Sequence, residues 1–414
     1  MLNVQVRSDT SENFVPQVSC MERKPATPFG RPLSEATARG EKYNSAAAVF
    51  DDLSREVYCI LGVPIDAVEM PAVLRSIELA AAARAPFVIS TPNLNFVVNS
   101  RLNAEFRESL LESDLCPVDG MPIVWIAQLL GIPVYGRTAG SDMVDSLKAE
   151  PRNEPLKVFL FGATESAAAA AAKTLDAGLN LKCVGWVCPE FGSVSDLSAD
   201  HLIDKINSSE ADFLMAALGA VKGQLWLQHN HQRLRVPIRA HLGAVINFQA
   251  GSVTRAPTIL RKLGLEWLWR IRQEPYLWRR YWNDGTVFLR LMLTNVIPLA
   301  VKERILRRRS EREGRRLVIE QLHGISSINL RLSGFATRNY VGEAIGHLRE
   351  VMMANKKIVI DLANALGIDA RFLGLLLMVR KNLKGRGLSL EIVGVSTEMA
   401  RTFRLHGVGY LLTD

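Results

Sequence analysis

The stretch from Phe87 to Asp142 constrains the fold more than any other. Twice within it a short apolar run stops at turn residues and the hydrophobic period changes from strand to helix. FVIS (87–90) ends at Thr91-Pro92-Asn93, after which Leu94, Val97 and Val98 recur at helical spacing. Thr91 is therefore expected at a strand's carboxyl end, capping the next helix with Pro92 in its first position. LCPV (115–118) then stops at Asp119-Gly120, and Met121-Pro122 opens a helix carrying Ile123, Val124, Ala127 and Leu130. Such junctions build an open α/β sheet whose ligands sit outside the carboxyl ends of the strands, so Thr91, Asn93 and Asp119 are expected along one cleft.

The alternation continues on both sides. VYCILGVPID (57–66) reads as strand and turn, 70–83 as a helix, LKVFLFG (156–162) as a buried strand, and Thr164 as the cap of a helix over 165–175. LKCVGWV, a helix near 199–206, ADFLMAALG, a helix after Lys222 and a strand over 238–246 follow. The expected core, 51–250, is a mostly parallel sheet covered on both faces. Gly162, Ala163 and Thr164 follow a strand and open a helix, where free backbone N–H groups favour an anion such as a diphosphate; most such turns are only tight connections. Residues 1–50, rich in Ser, Thr, Pro, Arg and Glu without a sustained period, read as a disordered tail.

Beyond Gly251 the texture changes. Residues 251–285 interleave arginine with tryptophan, and Pro257 and Pro275 each stand where a helix can start. Residues 286–316 are apolar and then strongly basic, from Lys302 through Arg316. Residues 317–414 form a second, small α/β unit with strands at LVIEQL, INLRLSG, KKIVIDLAN and LSLEIVG and helices near 338–353, 370–384 and after Ser396. Two domains plus linkers suit 414 residues.

The net charge of +8 favours a polyanionic partner, whether nucleic acid, an anionic membrane surface or a phosphorylated ligand. The 5 cysteines show no zinc-like spacing and read as reduced thiols of a cytosolic protein. No secretory signal is visible, and the apolar stretch 287–301 is interrupted by Arg290, Asn295 and Pro298, short of the roughly 20 residues of a spanning helix. The expectation is a protein that touches a membrane without crossing it.

STPNLNFVVNS, PVDGMPIVW, GRTAGSDM and RAP followed by GLEWLWRIRQEPYLWRRY resemble, in order and spacing, the WecG/TagA/CpsF glycosyltransferases over about 57–281. The resemblance implies a Rossmann-like fold and transfer of a sugar from a UDP-sugar to a sugar on a polyprenyl diphosphate. It implies an inverting, metal-independent reaction without cofactor, and an appendage of arginines and aromatics that completes the site near the membrane. Asp119 becomes the candidate general base, since a carboxylate within hydrogen-bond reach can take the acceptor's proton; alone, Asp-Gly is a turn. Thr91 and Asn93 would orient substrate, and Arg137, Gly140 and Asp142 match a further pocket segment. Arg255, Glu266, Arg270, Glu274, Arg279 and Arg280 match the appendage, whose guanidinium groups would stabilise the leaving diphosphate. The same arginine and tryptophan mixture can bind nucleic acid, a partner ranked below because the glycosyltransferase pattern matches in detail.

One segment departs. The family's Gly-x-Pro-Lys-Gln-Glu stands here as Gly219-Ala220-Val221-Lys222-Gly223-Gln224, which keeps Lys222 for substrate binding and loses proline, glutamine and the acid. The expectation is therefore a donor choice different from the family's, where UDP-glucose, UDP-N-acetylmannosamine and UDP-mannosaminuronic acid are all used, or a reduced activity. The C-terminal unit resembles a STAS domain in which Asp369 is followed by Ala370 and Arg371, excluding a phosphoserine switch there and favouring protein interaction. The basic segment after the apolar stretch suits a helix in the headgroup plane of the inner membrane leaflet. Two readings result: a peripheral, cytoplasmic UDP-sugar transferase, or a catalytically silent scaffold of a polysaccharide or signalling complex.

Overall fold

The computed structural model describes residues 50–412 except 263. The tail expected over 1–50 lies almost wholly outside them. An antiparallel hairpin, β1 (Val57–Ile60) and β2 (Val63–Asp66), comes first. The central sheet contains β3 (Phe87–Ile89), β4 (Leu156–Gly162), β5 (Leu181–Val187), β6 (Phe213–Ala217) and β7 (Ile238–His241) in the order β3-β7-β6-β4-β5, every pairing parallel. The C-terminal sheet contains β8 (Val318–His323), β9 (Ser327–Ala336), β10 (Lys357–Ile368) and β11 (Leu390–Val393) in the order β11-β10-β9-β8, with only β8 antiparallel to its neighbour.

The near-continuous apolar strands are buried because helices cover both faces of the central sheet. Val73 and Ile77, Met143 and Val144, Ala168 and Ala171, and Val245 and Ile246 pack one face. Ile203, Ile206, Trp226 and Leu227 pack the other against Phe159, Phe161 and Leu214. The chain runs outward from β4 to β5 and returns through β6, so the order reverses between β4 and β6; that is the place where such sheets bind ligands. Leu115 bridges Ile89 in parallel, so the segment leading to Asp119 lies beside β3 as a short extra edge.

Four expectations change. The helix Leu94–Leu102 is capped by Asn93, whose Oδ1 accepts from Phe96 N at 3.2 Å; Thr91 stands two residues before the cap. The strand expected to 246 stops at His241, and Gly243–Gln249 is a helix, an apolar run that periodicity alone cannot divide. The apolar and basic segments form one helical stretch, Pro275–Glu313, which by length and composition alone is long enough to cross a membrane. Its middle, Met292–Val296, is a π turn just before Pro298, which cannot donate to the ladder. One face carries Leu291, Val296, Leu299 and Ala300 into the core of the catalytic half.

The C-terminal unit is also less separate than its composition suggests. Its helix Ala370–Gly385 lies across β1, so close that a Cβ on Gly374 would stand 2.1 Å from Val57 O. Leu53, Val57, Cys59 and Leu111 share one core with it. Arg371 donates to Val57 O at 3.1 Å and Arg55 O at 3.0 Å, and Lys381 pairs with Asp52 and Asp114, both at 2.9 Å. The helix face that could have met a foreign protein thus holds its own chain.

Candidate active site

Along the carboxyl ends of the parallel strands, Asp119 lies toward one edge, beyond the bridge to β3, and the β4/β6 reversal lies toward the other. Asp119 N donates to Pro92 O at 2.9 Å, tying the Asp-Gly turn to the loop after β3. Gly120 has φ +105 and an ideal Cβ there would meet Asn93 Cβ at 3.6 Å, so the turn needs glycine mainly for its backbone. The helix Met121–Leu129 then starts directly beyond it.

Asp119 is partly accessible yet enclosed by protein. Burial pushes its carboxyl up to about 7; Glu266 and Asp142 act in the same direction, while Arg137 and Arg270 pull it down. Two of those charges, Glu266 and Arg270, belong to the arginine and tryptophan appendage, which is thereby brought to Asp119. Arg137 holds the appendage in place through ion pairs to Glu266 and, at 3.5 Å, Asp142.

Asp142 is a hub. It accepts from Arg255 at 2.5 Å and from Arg261 at 3.4 Å, and Arg255 also reaches Asp145 and donates to Ser141 Oγ at 2.9 Å. Arg270 pairs with Glu274 at 2.6 Å and lies over Phe248. Arg255 and Arg270 are thus held by acids, although a bare cationic cradle was expected. Arg279 and Arg280 are exposed on the next helix, over Trp278 and Tyr281, and the Arg280 charge also helps to lower the Glu274 carboxyl that pairs with Arg270.

At the strand reversal, Gly162 approaches β6 so closely that a Cβ would stand 2.6 Å from Ala217 O. Thr164 Oγ1 caps the helix Glu165–Asp176, accepting from Ala167 N at 3.3 Å. Lys222 donates to Gly192 O at 2.7 Å, holding the loop after β5 toward the helix Ala220–His229. Thr91 is buried beside Gly140 and Leu242. Sequence reasoning missed Gln224, whose Nε2 donates to Ser90 Oγ at 2.5 Å and secures the end of β3. It also missed His241, which closes β7; a lone histidine in an apolar run gives no signal. Among the described residues no three His, Cys, Asp or Glu side chains gather as a metal set.

The chain matches the Glycosyl transferase WecG/TagA/CpsF family over residues 58–301, more than half its length. It belongs to that family. The WecG/TagA/CpsF chain continues into a second match, to the Mlab, STAS domain, over 321–413, so the C-terminal unit is a STAS domain. An N-acetylglucosaminyldiphosphoundecaprenol N-acetyl-beta-D-mannosaminyltransferase of Bacillus spizizenii is 26% identical over 194 residues, covering 47% of this chain and 73% of that protein. One of the same name from Staphylococcus aureus strain MW2 is 25% identical over 223 residues, 53% of this chain and 85% of that protein. This family member is a glycosyltransferase, with Asp119, Arg137, Asp142, Glu266 and Arg270 drawn together at the mouth of its sheet.

Proposed function

We propose that this glycosyltransferase moves a hexose or N-acetylhexosamine from a UDP-sugar to a sugar on a polyprenyl diphosphate at the cytoplasmic face of the membrane. Asp119 acts as general base. The observation that carries the reading is its carboxyl held near 7 beyond the strand ends, within the field of Arg137 and Arg270. The acceptor hydroxyl oxygen attacks the anomeric carbon while its proton passes to the Asp119 carboxylate. The bond from that carbon to the β-phosphate oxygen breaks on the opposite face, inverting the centre and releasing UDP. Ala163 N–H is taken by Ala217 O at 3.2 Å, so charge gathering on the leaving diphosphate is met by backbone N–H groups at the start of the helix Glu165–Asp176 and by guanidinium groups, without a metal in the step.

A lipid-borne acceptor requires the enzyme at a membrane surface, and the stretch 275–313 offers a matching face. Trp278, Trp282, Leu289, Leu293, Ile297, Val301 and Ile305 are exposed along it, a stripe of about 40 Å at 1.5 Å per residue. Arg279, Arg280, Arg290, Arg304 and Arg308 are exposed beside them. With its other face in the protein core, the helix lies along the bilayer rather than through it, and each arginine near an anionic surface contributes about 1 kcal/mol.

The relatives' names put N-acetylmannosamine first among the sugars transferred. The test is UDP release by the full chain from a panel of UDP-sugars, with and without a polyprenyl-diphosphate-linked N-acetylglucosamine acceptor. Acceptor-dependent release with at least one donor is expected; none with any donor would leave the silent scaffold as the better account.

A further inference from the structure

His241 ends β7, the strand between β3, which leads to Thr91 and Asn93, and β6, which forms one side of the strand reversal. Its neighbour Arg239 points to the same face and is fully engaged, donating to Val236 O, His231 O and Leu234 O, each at 2.7 Å. His241 makes no hydrogen bond among the described residues, and its Nε2 is closed off from solvent without a partner. A polar atom left so is costly in a folded chain, and a ligand oxygen would satisfy it.

The ring sits where it does because of Gly223. A Cβ at that position would fall 2.1 Å from the imidazole Cδ2, so any other residue on that turn of the helix Ala220–His229 would evict it. Gly223 occupies the position at which the family's Gly-x-Pro-Lys-Gln-Glu segment carries glutamine. The imidazole therefore fills, from the neighbouring strand, space that a glutamine stem would take. Gly243 stands close on the other side, its ideal Cβ 3.3 Å from Nε2.

We propose that His241 is a binding residue for the sugar half of the donor, hydrogen-bonding one of its oxygens from the space that Gly223 leaves. This rests on the UDP-sugar reading above. The position selects the sugar: β6 and β4 carry the diphosphate turn on one side, the Asp119 edge lies two strands away on the other, and His241 stands between them. Burial holds the imidazole down to about 4, so it is neutral at physiological pH and offers one donor and one acceptor rather than a charge.

The experiment is calorimetric binding of UDP and of the active UDP-sugar to the full chain without acceptor. His241→Ala is expected to weaken UDP-sugar about five- to tenfold, the cost of one neutral hydrogen bond, and to leave UDP within twofold. His241→Gln, and the double variant His241→Ala with Gly223→Gln, are expected to recover most of the loss, and the imidazole nitrogen NMR signals to shift with UDP-sugar but not UDP. Unchanged UDP-sugar affinity in a folded His241→Ala protein, or imidazole signals of the native chain that do not move with UDP-sugar, would overturn the inference while leaving the transfer reaction standing. Equal weakening of UDP and UDP-sugar would overturn the assignment to the sugar. Failure of the native chain to bind any UDP-sugar would overturn both.

Discussion

Replacing Asp119 with asparagine should stabilise the fold while disabling the enzyme, and the gain should depend on pH. A carboxyl held at about 7 rather than 3.8 lies roughly three logarithmic units high. Each is about 1.4 kcal/mol, or about 4 kcal/mol in all before screening. Because the carboxylate is partly accessible, solvent reduces this to about 2 kcal/mol. The unfolded chain releases this proton near pH 4 and the folded chain near 7, so between those values the folded state holds more protons and stability falls as pH rises. The penalty is complete above pH 7. Asparagine keeps the shape and the backbone bond to Pro92 but cannot ionise. Urea unfolding of Asp119→Asn and the native chain should show little difference at pH 4.5 and a gain of about 2 kcal/mol at pH 8. Equal stability at pH 8, or a difference that ignores pH, would refute the reasoning.

Leu289→Glu with Leu293→Glu should abolish sedimentation with vesicles rich in anionic lipid at low salt, whereas the native chain should bind them and be released as salt rises; binding by the double variant would remove the exposed stripe from that role. Gly374→Leu, which forces side-chain atoms into Val57 O, should undock the STAS helix from β1, cost about 3 kcal/mol or more and expose 297–313 to protease; a native melting curve would show that the shared core tolerates separation.

The strands and most helices were legible because their patterns are local: LKVFLFG can only be a buried strand, and Thr164 announces the helix after it. Thr91 and Asn93 both suit a cap, and the choice turned on a single hydrogen bond that sequence does not encode. What depended on contacts far apart in the chain stayed hidden. Glu266 pairs with Arg137 across 129 positions, and Arg255 and Arg270 look free in sequence but are clamped by acids in space. The docking of the STAS helix was invisible for the same reason, since Gly374 reads as an ordinary helix interruption until β1 is seen beneath it. His241 is the sharpest case, because its meaning comes from the absence of a side chain at Gly223.

Acceptor-dependent release of UDP by the native chain and by Asp119→Asn, measured at pH 7.5 with the same donor, tests the account most directly. A fall of at least about 100-fold in kcat for the variant, with donor affinity kept, is the predicted result. Release that persists undiminished in the asparagine protein would contradict it.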